Sequence, residues 1–100
     1  MDAPARLSLV CGELAANGLR YGRPPITVAL ARGEQSWLVV VSDHATASRP
    51  VLRAPDLDRG GRIGLHLVVA VSERVGWHVS GGSKQVWAEV GDRAPASVLF

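Results

Sequence analysis

The sequence predicts an α+β fold: a two-layer sandwich in which helices cover one face of a mixed, mostly antiparallel sheet. Three observations carry this reading. Two stretches with helix-like apolar spacing, one opening near residue 3 and one near residue 63, are each followed by a pair of strand-like segments. The partners in each pair are separated by a short turn, Gly33-Glu34-Gln35 in the first and Gly81-Gly82-Ser83-Lys84 in the second, as in antiparallel hairpins. Apolar residues make up 47% of the 100 residues, enough for one core, so residues 1–100 are expected to form a single domain.

The first helix is expected from about Ala3 to Leu19 or Arg20. Asp2 is suited to cap its N-terminus and Pro4 is tolerated in its first turn. Gly22 and the Pro24-Pro25 pair stop it. Leu7, Cys11, Leu14 and Gly18 form the stripe that packs on a sheet. Ile26–Arg32 alternates branched apolar residues with small or polar ones, and Ser36–Asp43 holds a continuous apolar run from Leu38 to Val41 that suits a central strand. Residues 44–62 carry Pro50, Pro55, four arginines (Arg49, Arg53, Arg59 and Arg62), two aspartates and Gly60-Gly61, without periodicity. A loop of that length in a small domain points to function, and we read it as a lid with glycine hinges. Ile63–Val75 reads as a second, more buried helix ended by Gly76, although its β-branched content is high for one. Trp77–Ser80 and Gln85–Val90 form the second hairpin. Trp37, Trp77 and Trp87 are expected to pack in the core or on the sheet, and Lys84 to sit in the turn, with a phosphate contact as the alternative.

Composition excludes several classes. The formal net charge is +2, and ten of the eleven basic residues are arginines scattered along the chain, with no basic run interleaved with aromatics, so no nucleic-acid surface is expected. No apolar run reaches the roughly 20 residues that span a bilayer, and no signal segment opens the chain, which gives the expectation of a cytoplasmic protein without a membrane partner. Cys11 is the single cysteine and is expected buried and reduced. His44, His66 and His78 lack ligand-like spacing for a metal.

Three features carry chemistry. Glu13 and Asn17 stand four residues apart, hence on one face of the first helix, where a carboxylate and a carboxamide can hold a hydrated divalent cation and polarise a water or hydroxyl. Asp43 ends a buried apolar strand, where a carboxylate needs a hydrogen-bond partner. That partner is either an exocyclic amine such as adenine's or the backbone of the loop that Asp43 opens. Gly60-Gly61-Arg62-Ile63-Gly64-Leu65 is a glycine-rich turn opening a helix, in which free backbone N–H groups favour a phosphate.

Taken in order, these segments resemble the GHKL (histidine kinase-like) ATPase superfamily, whose members share the Bergerat fold. Glu13-Leu14-Ala15-Ala16-Asn17 resembles its N box, Val41-Ser42-Asp43 the start of its G1 box, and Gly61–Val68 its G2 box. The closing Gly82–Glu89 segment is similar to that of the stand-alone anti-sigma-factor serine kinases, in their actinobacterial branch. The resemblance covers residues 7 to 90. It implies ATP and Mg2+ as ligands, with Asn17 binding the metal, Glu13 acting as general base and Asp43 recognising the adenine amine. Gly61, Gly64 and the backbone at Leu65 would border the triphosphate, and Arg62 would either neutralise phosphate charge or lie solvated on the lid. Departures are the absence of glycine in His44-Ala45-Thr46-Ala47 and Tyr21 where the N box often ends in His. The chain also begins almost at the N box, where relatives carry a further helix and a strand. From this follows the expectation that apolar surface is covered by upstream chain or by a second copy in a homodimer.

The function implied is an ATP-dependent serine/threonine protein kinase that phosphorylates an anti-anti-sigma partner and sequesters a sigma factor. The alternatives are a non-catalytic ATP-binding module that works by gripping a partner, and the catalytic fragment of a sensor histidine kinase.

Overall fold

The computed structural model describes residues 1–47 and 65–95. Helix α1 runs from Ala3 to Tyr21. Its start is fixed by Asp2, whose Oδ1 accepts the Ala5 N–H at 2.8 Å, and its end by Gly22, whose N–H donates to the Gly18 carbonyl at 2.8 Å. Strands β1 (Thr27–Arg32) and β2 (Ser36–Asp43) follow, then helix α2 (Leu65–Val71) and strands β3 (Arg74–Ser80) and β4 (Ser83–Gly91). The four strands form one sheet in the order β1-β2-β4-β3, and all three pairings are antiparallel. Both strands with the most regular apolar alternation, β2 and β4, lie inside the sheet, as the Leu38–Val41 run requires.

Period-two alternation decides the faces. In β2 the buried side chains are Val39, Val41 and Asp43; in β4 they are Lys84, Val86, Ala88 and Val90. Val10 and Leu14 of α1 and Leu65 and Val68 of α2 close the same core, with Leu7, Cys11, Val71 and Val75 packed around it. The architecture is therefore the expected α+β two-layer sandwich with its helices on one face of the sheet. Each such buried aliphatic side chain contributes about 1.5–3 kcal/mol relative to leaving it in water. At the sheet edge the cover ends: Val28 and Leu30 of β1 point to the helix side, opposite Val41 and Val39, yet remain half exposed.

Four expectations about elements are corrected. The buried row on α1 is Arg6, Val10, Leu14 and Gly18, with Leu7 and Cys11 only partly covered. Arg6 escapes recognition as a core residue because of its charge; its guanidinium donates to the carbonyls of Met1 and Gly91, leaving Nε buried without a partner among the described residues. The second helix ends at Val71, and Arg74 and Val75 belong to β3, paired with Glu89 and Ala88. Residues 63 and 64 of the expected helix lie outside the described residues. β-branched side chains at its end suit a pleated strand better than a helical turn. Gly76 is not a helix stop but a strand residue against which the Trp87 indole packs; any Cβ there would fall well inside van der Waals contact of the ring. Lys84 is not a turn residue: the turn is Gly81-Gly82, both with positive φ, and Ser83 already belongs to β4.

The tryptophans lie on strands as expected. Trp37 is half buried beneath the Arg32 guanidinium, 5.4 Å from the ring centre, whereas Trp77 remains 43% exposed. The expected lid from 44 to 62 lies outside the described residues beyond Ala47.

Candidate functional site

The most constrained polar groups sit where the C-terminal end of α1 meets the ends of β2 and β4. Asp43 is the last residue of β2 and its side chain is 2% exposed. Oδ1 accepts the Ala45 N–H at 2.7 Å, closing a local turn of the kind Asp favours. The loop-capping alternative raised by the sequence is thus realised for one oxygen. Oδ2 faces the Lys84 ammonium at 3.6 Å, and that side chain is also 2% exposed. The two residues are direct cross-strand partners in the β2–β4 register. A buried carboxylate is costly without compensation, and here a backbone donor and a counter-charge supply it.

The helix is pressed against this corner. A Cβ at Gly22 would lie 2.7 Å from Asp43 Cγ and 2.8 Å from Oδ2, and one at Gly18 would lie 3.3 Å from a methyl of Val41, two residues before Asp43. The His44 N–H donates to the Arg23 carbonyl at 2.9 Å, tying the segment after α1 to the residue after Asp43. Asn17 precedes Gly18, so the amide and the acidic strand end belong to the same end of the molecule. Glu13 lies one turn back on the same side of α1. Both residues stand about 100° round the helix from the buried Leu14 and Gly18, and both are half buried. Among the described residues neither side chain takes a hydrogen-bond partner, which leaves both free for a ligand.

The other predicted residues divide. Leu65 opens α2, and its side chain is buried in the core with Leu14, so only its backbone is free to meet a ligand. Gly61, Arg62 and Gly64 lie outside the described residues. No group of three or more His, Cys, Asp or Glu able to hold a metal exists among the described residues.

Comparison with protein-family models, with curated proteins and with solved structures finds no match for this chain. The site therefore rests on its own geometry and on the resemblance of its motifs.

Sequence reasoning placed Lys84 in the turn and missed its burial beside Asp43. The signal was available in the alternation of β4: Lys84, Val86, Ala88 and Val90 share one parity, so extending the strand by two residues puts the lysine on the buried face. A separate cavity of about 660 Å3 lies at the opposite end of the sheet, lined by Gln35, Ser36, Glu73, Glu89, Asp92 and their neighbours. It contains none of the predicted site residues, and two of its carboxylates are committed, Glu89 to Arg74 and Asp92 to Arg32.

Proposed function

We propose that this chain is an ATP-binding regulatory protein of the anti-sigma kinase type. Asp43 recognises the adenine amine, Asn17 ligates a phosphate-bound magnesium ion, and Glu13 accepts the proton of the attacking hydroxyl. One observation carries the reading: the buried Asp43 carboxylate lies against Gly22, the C-cap five residues beyond Asn17 at the end of the helix that carries the free Glu13–Asn17 pair. Phosphoryl transfer asks mainly for positioning and charge neutralisation, so a carboxylate, an amide and a bound metal form a sufficient protein contribution. The metal's part, when bound, is to neutralise charge developing on the phosphates; the protein's part is to fix the base at one end and to take a proton at the other.

The resemblance assigns the partners: an anti-anti-sigma protein as phosphoryl acceptor and a sigma factor as the sequestered ligand, both in the cytoplasm. A homodimer belongs to the same proposal. No described helix is long and apolar enough to cross a membrane, which is compatible with that location.

Calorimetric titration with MgATP tests the site, and a radiolabelled-phosphate assay with candidate antagonist proteins tests the activity. The reading expects ATP binding that Asp43→Asn weakens at least tenfold, and transfer that Glu13→Ala abolishes while leaving binding in place. Absence of ATP binding overturns the site; binding without any transfer reduces the protein to a non-catalytic module.

A further inference from the structure

The Lys84 ammonium has no role in the reading just given, and its surroundings leave it under-satisfied. An ammonium carries three donors. Lys84 is 2% exposed, and its ion-pair partner among the described residues is Asp43 Oδ2 at 3.6 Å, beyond hydrogen-bond range. It makes no hydrogen bond to another described residue, so its donors are open to an incoming acceptor. Its position is nevertheless well fixed. It projects from an interior strand directly opposite Asp43, and the Asp43 carboxylate is itself held by the Ala45 N–H and by the close approach of Gly22. The corner thus presents a fixed acceptor, Oδ2, beside a donor that lacks an acceptor of its own.

We propose that Lys84 is a specificity-determining residue that donates to N1 of adenine, the ring nitrogen adjacent to the amine that Asp43 accepts. The inference rests on the reading of Asp43 as the adenine-recognising group. The Watson–Crick edge of adenine presents a donor, the N6 amine, next to an acceptor, N1. The carboxylate and ammonium of the Asp43–Lys84 pair are its complement. Bringing the base in supplies an acceptor at hydrogen-bond distance, so the ammonium gains a charge-assisted contact in addition to its ion pair with Asp43. A lysine that served only to neutralise Asp43 would be indifferent to the atom at position 1 of the ring.

The test is an equilibrium titration of the whole chain with the magnesium complexes of ATP and of 1-deaza-ATP, which keeps the amine and replaces N1 by C–H. A lost hydrogen bond to a charged donor corresponds to about a 10- to 100-fold weakening, so the unaltered chain is expected to bind 1-deaza-ATP weaker than ATP by that factor. Lys84→Met is expected to weaken ATP by a similar factor and to bind the two nucleotides alike. The comparison on the unaltered chain needs no variant to fold. Equal affinity of the unaltered chain for ATP and 1-deaza-ATP overturns the role of Lys84 while leaving the Asp43 reading intact. GTP binding as tightly as ATP, or no ATP binding at all, overturns the adenine reading and this inference together.

Discussion

Replacing Gly22 with alanine probes the corner on which the site is built. Gly22 has φ −86° and ψ −178°, ordinary extended backbone that alanine adopts without strain. Conformational entropy alone therefore predicts a gain of about 0.4–1 kcal/mol, because alanine has fewer unfolded conformations to lose. The obstacle is space. The new methyl would sit 2.6 Å from the Gly18 carbonyl oxygen, 2.7 Å from Asp43 Cγ and 2.8 Å from Oδ2, all closer than real Cβ contacts. Either the Gly22 N–H···Gly18 bond opens or the carboxylate leaves its place, and forced overpacking of this kind costs about 1–3 kcal/mol. The net expectation is a loss of roughly 0.5–2 kcal/mol, which for a domain of this size lowers Tm by roughly 3–12 °C. Thermal unfolding followed by circular dichroism reads it. Gly12→Ala is the control: it lies in the same helix, exposed, with nothing within 4 Å of a Cβ, and is expected to stabilise by about 0.5–1 kcal/mol. A Gly22→Ala protein as stable as the parent, or more so, would show that the helix end and Asp43 are not in close contact.

Other consequences follow from the same contacts. Leu14→Ala removes a 1%-exposed side chain from the centre of the core and is expected to cost about 2–5 kcal/mol in denaturant titration. Gly76→Ala, on a strand packed by the Trp87 indole, is expected to destabilise by about 1–3 kcal/mol and to shift Trp87 fluorescence as the ring is displaced. The hydrogen bonds from Arg32 hold the Asp92 carboxyl below the usual aspartate range. That pairing favours the folded state above the unfolded aspartate pKa, near 4, and is lost as pH falls through the lower folded value. An NMR titration of Asp92 should show the depressed midpoint, and Arg32→Gln should move it up toward the ordinary range. Burial pushes the Cys11 thiol up, so alkylation by iodoacetamide at pH 8 should be slower than that of an unstructured cysteine peptide and should reach the peptide rate in denaturant.

The local signals were strong where the residue itself decides the backbone or the face. Asp2 and Gly22 bound α1 because a carboxylate cap and a glycine satisfy helix ends in any context, and Leu38–Val41 announced an inner strand, of which Val39 and Val41 are buried while Leu38 lies on the open face of the sheet. The Glu13–Asn17 row was legible from helical spacing alone. Elsewhere tertiary context overrode local pattern. Val71 to Gly76 reads as helix and stop, but pairing with Glu89, Ala88 and Trp87 on β4 draws Arg74–Gly76 into the sheet. Arg6 and Lys84 are charged residues with buried positions, made tolerable by partners 85 and 41 residues away, Gly91 and Asp43 respectively. No local signal records such partners. Asp43 lay between the two cases: its strand end was legible, and its loop-capping bond was one of two alternatives, but its counter-charge was not.

The most direct test is the structure of the chain with a bound magnesium–nucleotide complex. The account predicts the adenine amine within hydrogen-bond distance of the Asp43 carboxylate and the metal against the Asn17 amide, with Glu13 facing the terminal phosphate. Nucleotide bound elsewhere, as in the cavity beside Glu73 and Asp92 at the far end of the sheet, would contradict it.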